Sequence, residues 1–275
     1  MRNKLSTLLL VLILLLGLGI LLYPTVSDYY NSFHQSRAIA SYIEQVDLVD
    51  PVDYEDDWEA AIDFNRRLLE KPDRFNLEEE ELAEYESLLN VTGTGIMGYI
   101  DIPSIGCTLP IYHGTDEAVL QIAVGHIEGT SLPTGRVGDH AVLSGHRGLP
   151  SARLFTDLDK MAMGDLFVIR VLDEVMTYEV DQILIVLPHE VDALAVDPEM
   201  DLCTLVTCTP YGINSHRLLV RGHRTENVEM ERMIRVVSDA AQIDPTLVAP
   251  ALAVPMLLIL LVWMLISTGR KKRQR

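Results

Sequence analysis

The feature that most constrains this chain is a pair of apolar runs lying toward its two ends. Leu8 to Tyr23 is almost unbroken Leu, Ile, Val and Gly behind Arg2 and Lys4, and Leu247 to Ile266 is followed by Arg270, Lys271, Lys272, Arg273 and Arg275. Each approaches the roughly 20 residues needed to cross a bilayer as a helix. Basic residues flank the outer end of both runs, which places both ends on the cytoplasmic side and everything between them outside. The expectation is a two-pass cell-membrane protein with an extracellular domain. Residues 1–26 read as an anchor or, given Thr25-Val26-Ser27, as a signal peptide. Residues 247–275 read as a second transmembrane helix, kinked by Pro250 and Pro255, with a basic tail.

Charge sharpens the picture of the middle. The 275 residues carry 22 Lys and Arg against 40 Asp and Glu. Seven of the basic residues belong to the two ends, leaving 15 against 40, a balance of −25, between them. Nucleic-acid binding needs a basic face and is excluded as a function class. The three cysteines, Cys107, Cys203 and Cys208, are too few for a disulfide-built extracellular module. Cys203 and Cys208 are five apart, so an extended strand points them to opposite faces. At least one thiol is therefore left over outside the cell.

Residues 27–92 are polar, acidic and helical in spacing over Arg37 to Val46, Tyr54 to Leu69 and Leu77 to Leu89. They read as a helical stalk. From Gly93 to about residue 226 the texture changes to short apolar runs bounded by Gly, Pro and Asp. Examples are Met97 to Ile102, Leu166 to Val171, Met176 to Val180, Ile183 to Leu187, Leu202 to Cys208 and Arg217 to Val220. Their length and β-branched content predict the strands of a barrel or sandwich. One short helix is predicted over Ala118 to Ala123, after Thr115-Asp116. Residues 227–246 form a juxtamembrane linker.

The chemistry concentrates in Thr204-Leu205-Val206-Thr207-Cys208-Thr209-Pro210. A strand ends at a cysteine, and a second strand, Arg217 to Arg221, returns after a short loop. If the two pair as a hairpin, Arg217 lies near Cys208, where a guanidinium favours thiolate and donates to a developing oxyanion. The same stretch also accommodates a buried structural cysteine beside an ordinary strand-edge arginine. A cysteine nucleophile further needs a proton donor for its leaving amine. Among the eight histidines His146 stands out, because it ends the strand Ala141 to Ser144 inside the glycine-flanked loop Gly145-His146-Arg147-Gly148. His216 is nearer in sequence, but alternation sets it on the face opposite Arg217. His113, His126, His140 and His146 have the ligand chemistry for a metal without a tight ligand spacing.

These blocks resemble the sortases. Thr204 to Cys208 is similar to the family's Thr-Leu-x-Thr-Cys signature, and YGINSHRLLVR (Tyr211 to Arg221) is similar to its continuation in class C, the pilin-polymerising sortases. The likeness extends through GIMGYIDIP (Gly95 to Pro103), LPIYHGTDEAVL (Leu109 to Leu120), GHIEGTSLPTG (Gly125 to Gly135) and GHRGLPSARLFTDLDKM (Gly145 to Met161), over about residues 93–224 in the family's order. The resemblance implies a mainly β fold, a closed eight-stranded sortase-type barrel with an N-terminal helical region and two transmembrane helices. It implies Cys208 as nucleophile, His146 as general acid and Arg217 as oxyanion partner, with no metal or cofactor. The implied reaction cleaves an LPxTG-like sorting signal between Thr and Gly and passes the acyl group to a lysine amine of a pilin subunit at a Gram-positive cell surface. The class often carries a lid with an Asp-Pro-aromatic tripeptide; Asp73-Arg74-Phe75 stands in that region, with Arg74 in the proline position, making Asp73 and Phe75 the lid residues. Three alternatives stay open: a sortase anchoring proteins to cell-wall peptide, a hydrolytic cysteine peptidase, and a non-catalytic anchored binding barrel.

Overall fold

The computed structural model describes residues 2–48, 51–227, 253–257 and 259. Two units are distinguished, residues 1–30 with 237–275, and residues 31–236. In the first, residues 2–30 belong to α1 (Arg2–Val46). Its side chains from Leu8 to Ile20 are largely exposed apolar groups. Among the described residues α1 is the one helix long and apolar enough to cross a membrane. It corresponds to the first of the two expected spans. The second span expected over 247–275 falls almost entirely outside the described residues, as does most of the 227–246 linker.

In the second unit the short apolar runs become β1 (Ile96–Ile102), β2 (Cys107–His113), β3 (Val124–His126), β4 (His140–Ser144), β5 (Leu166–Val171), β6 (Glu174–Val186), β7 (Leu202–Thr209) and β8 (His216–Thr225). They close into a barrel in the order β1-β2-β3-β4-β7-β8-β6-β5. The seam is the antiparallel pairing of β1 with β5, and the β2–β3 and β4–β7 pairs are parallel. The runs Met176 to Val180 and Ile183 to Leu187, read from sequence as separate strands, form one strand. A shift of register between Val180 and Gln182 on β6 interrupts the alternation without ending the ladder. The helix expected at Ala118 appears as α4 (Glu117–Leu120).

Alternation sorts each strand into two faces. On β7, Cys203 and Leu205 are fully buried in the main core with Leu143, Ile100, Phe167 and Val220. The alternate residue Val206 joins Val142, Leu219 and Leu194 in a separate small apolar cluster. Cys208, two residues beyond Val206, shares the face of that cluster.

Residues 31–92 do more than connect. α2 (Pro51–Leu69) and α3 (Glu79–Ser87) place Phe64, Leu68 and Tyr85 in the barrel's core cluster, and Tyr42 near the end of α1 joins them. Fully burying such a side chain contributes about 1.5–3 kcal/mol. The polar ends are satisfied by the barrel backbone. The Tyr42 hydroxyl donates to the Met97 carbonyl at 2.9 Å and accepts from the Leu172 N–H at 2.7 Å. Asn65 donates to the Leu132 carbonyl and to Asp139, and accepts from the Leu132 N–H. Tyr85 lies 3.0 Å from His126 Nδ1 and accepts from the Gly114 N–H at 3.0 Å.

Candidate active site

Hairpin pairing of β7 and β8 sets Cys208 opposite Arg217 and Thr209 opposite His216. Residues opposite each other in a ladder point to the same face, so the thiol and the guanidinium share the outer face of the barrel. Arg217 rests against carbonyls of its own loop, donating to Asn214 at 3.3 Å and to His216 at 3.1 Å. His216 belongs to the other face, and its Nδ1 lies 2.9 Å from the Ser215 hydroxyl.

His146 reaches the same place by a different route. β4 and β7 run parallel with Ser144 paired to Val206. The Gly145 N–H donates to the Val206 carbonyl at 3.1 Å, and the Thr207 hydroxyl donates to the Gly145 carbonyl at 2.7 Å. The two strands therefore deliver His146 and Cys208 as neighbouring residues at their ends. His146 Nε2 is buried and has no hydrogen-bond partner among the described residues.

Three thiols, three environments. Cys203 is wholly buried, and burial pushes its thiol far above the ordinary range. Cys107 is only partly covered as a residue, yet its sulfur lies among low-dielectric groups and donates to the Leu154 carbonyl at 3.6 Å; burial pushes it up to about 12. Both are held as inert thiols at neutral pH. Cys208 is half-exposed at the end of its strand, with a cation paired opposite.

Three of the other histidines are structural. His113 bonds the carbonyls of Gly95 and Leu88, and His126 is fully buried between Tyr85 and the Ser131 carbonyl. His140 bridges the Ala195 carbonyl and the Thr204 hydroxyl. Burial lowers the pKa of all three, that of His126 to about 4. Among the described residues no group of three or more His, Cys, Asp or Glu side chains is arranged to hold a metal.

The Asp73-Arg74-Phe75 segment lies in the α2–α3 connection. Gly129, at φ +81°, lets it approach: a Cβ there would come within 2.4 Å of the Arg74 carbonyl oxygen and 2.7 Å of Phe75 Cα. Arg74 donates to the Leu194 carbonyl at 2.9 Å, and its guanidinium lies 5.0 Å from the centroid of the Phe75 ring. Leu194 is a member of the small cluster containing Val206. Among the described residues Asp73 makes no ion pair with Arg217. Two contributors to this site were not singled out in the sequence: Thr207, which fastens the His146 loop, and Leu194. Thr207 immediately precedes the cysteine in the signature, which was the available signal. Leu194 sits in a stretch with no periodicity to mark it.

Comparison with known proteins places this geometry. The sortase domain model matches residues 100–225. Sortase C1 of Streptococcus agalactiae is 48% identical with a TM-score of 0.67, over 70% of this chain and 100% of that one. The chain belongs to the sortase family. Sortase C of Streptococcus pneumoniae, whose crystal structure is described as informing catalysis and pilin substrate specificity, is 41% identical with a TM-score of 0.62, over 70% of this chain and 98% of that one. Both of these relatives are class C sortases. Among curated proteins, sortase D of Bacillus subtilis (strain 168) is 30% identical over 132 residues; the match spans 46% of this chain and 63% of that relative. Sortase chemistry is cysteine transpeptidation, and the closed eight-stranded barrel is the fold of this family.

Proposed function

We propose that this sortase is a membrane-anchored, pilin-polymerising transpeptidase in which Cys208 is the nucleophile, His146 the general acid and base, and Arg217 the oxyanion partner. The observation that carries the reading is the pairing of Cys208 with Arg217, with His146 delivered beside them by the parallel β4–β7 pair. The Cys208 thiolate attacks the Thr–Gly carbonyl of an LPxTG-like sorting signal. Arg217 donates to the oxygen as negative charge develops on it. His146 gives its proton to the departing glycine amine, leaving a thioacyl enzyme. A lysine amine of the next pilin subunit then attacks the thioester, gives its proton to His146 and restores the thiolate. The apolar stretch of α1 supports attachment to the membrane.

Asp73 and Phe75 hold the resting site closed in this reading. Anchoring of Arg74 on Leu194 and the close approach to Gly129 support a segment fastened over the outer face that carries Cys208. Arg74 replaces the backbone restraint of a proline by a side-chain bond.

The test is incubation of the full-length chain in detergent with candidate pilins. The expected outcome is a ladder of covalent high-mass products that disappears in Cys208→Ala. Sorting-signal cleavage yielding only free acid in the presence of pilin would make the chain a hydrolase, and joining only to cell-wall peptide amines would make it a wall-anchoring sortase.

A further inference from the structure

The ladder that brings His146 and Cys208 together stops short of them. The Ser144–Val206 pairing, the Gly145-to-Val206 bond and the Thr207-to-Gly145 bond all lie on the barrel side of the two residues. On the far side, Arg147 Nη1 donates to the Thr209 hydroxyl at 3.3 Å. Arg147 follows the histidine and Thr209 follows the cysteine, so the pair is bracketed.

Arg147 is an expensive residue to keep there. Its side chain is 9% exposed, whereas its partner Asp159 is 43% exposed, and its buried Nε has no partner among the described residues. A buried guanidinium that is incompletely hydrogen-bonded is unfavourable for stability. Two of its contacts, to Thr209 and Tyr211, reach the segment after Cys208, and the third stays on the His146 side. It pairs with Asp159, which follows the His146 loop, and lies 5.9 Å from the centroid of Tyr211 in the β7–β8 loop. The Tyr211 ring packs on Gly148, where a Cβ would come within 3.0 Å of it. An open cavity of about 650 Å³ lies beside these groups, lined also by Leu158, Ile185 and Leu218.

We propose that Arg147 is a positioning residue of the transpeptidase, a clamp that fixes the distance and orientation of His146 relative to Cys208 by tying the two loops together beyond them. It acts through Thr209 and Tyr211 and touches no reacting atom. The inference rests on the assignment of His146 and Cys208 made above.

The test compares Arg147→Met, Arg147→Lys and Thr209→Val with the parent in the full-length chain. Three readouts are needed: the pH profile of Cys208 alkylation by iodoacetamide, kcat and KM for sorting-signal cleavage, and Tm. Displacement of a reacting group by about 1 Å costs on the order of 100-fold. Arg147→Met is expected to lower kcat by about 10- to 100-fold with KM little changed. It should also displace the alkylation profile along the pH axis, because the charges of His146 and Cys208 would no longer be held at one separation. Thr209→Val should act in the same direction and less; Arg147→Lys, able to keep one anchor at a time, should fall between. Alkylation profiles superimposable on the parent's in Thr209→Val and Arg147→Lys, with any loss in Arg147→Met following Tm alone, would overturn the clamp. Alkylation needs no substrate, so failure to polymerise pilin would sink the functional reading while leaving this comparison decisive.

Discussion

Cys208 and Arg217 face each other across an antiparallel ladder, each fixed by its own strand rather than by a mobile loop. Such placement sets the two side chains on one face of the sheet. Arg217→Lys keeps the charge and loses the planar pair of donors. Cleavage of a sorting-signal peptide is expected to fall about 10²- to 10³-fold, as for loss of an oxyanion donor, with Tm unchanged. Retention of full kcat/KM by the lysine variant would remove Arg217 from the transition state.

Thiol chemistry should separate the three cysteines. Cys208 is expected to react with a maleimide in the native protein. Cys203 and Cys107, whose thiols burial holds protonated, should react only after unfolding. Peptide mass mapping after timed labelling reads the order, and early labelling of Cys107 would contradict the sulfur environment described.

Arg74 makes a prediction opposite to the usual intuition about replacing proline. Its bond to the Leu194 carbonyl fastens the segment, so Arg74→Ala should quicken alkylation of Cys208, as should alanine at both Asp73 and Phe75. Unchanged alkylation in the double alanine variant would end the lid proposal.

The joint between helices and barrel predicts a stability loss. Tyr85→Phe removes the hydroxyl that lies against His126 Nδ1 and accepts from Gly114. Leaving buried partners unsatisfied should cost about 1–3 kcal/mol, read as a lower urea midpoint with unchanged slope. A change below experimental error would mean that α3 is not coupled to barrel stability.

Asp201 gives a pH dependence of definite sign. Burial raises its pKa to about 7 despite the Tyr178 hydroxyl at 3.1 Å and Arg224 at 3.6 Å. Unfolded, it loses its proton near pH 4. Between those values the folded state binds more protons, so the Asp201 contribution to stability falls as pH rises from about 4 to about 7. His126 works the other way, its lowered pKa costing stability as pH falls below about 6.5. Subtracting wild type from Asp201→Asn removes the His126 contribution. The variant's stability relative to wild type should climb between pH 4 and 7 and then level, with a ceiling on the order of 4 kcal/mol. A difference independent of pH would refute the buried-carboxyl account.

What the sequence revealed and withheld follows from the range of the interactions. The opposite fates of Cys203 and Cys208 were legible because alternation is local. The Cys208–Arg217 pair needed only a hairpin. The meeting of His146 with Cys208 depends on the parallel β4–β7 pair, which leaves no mark on spacing and was reached through family resemblance. The helical region read as a stalk because amphipathic spacing says that a helix buries a face, not against what; Asn65 and Tyr85 declare their barrel partners only in three dimensions. Asp181 hid the continuity of β6 because a register shift mimics a strand end.

Closure of the barrel through β1 and β5 has one more consequence. Every strand from β1 to β8 already has a neighbour on both sides, so an extended peptide finds no open edge to extend the sheet. In the proposed function a sorting signal is instead read by side chains on the outer face and by the loops around Cys208. Loops accept substitution at little cost to the scaffold, so substrate choice in such an enzyme can diverge while the strands that carry Cys208 and Arg217 stay as they are.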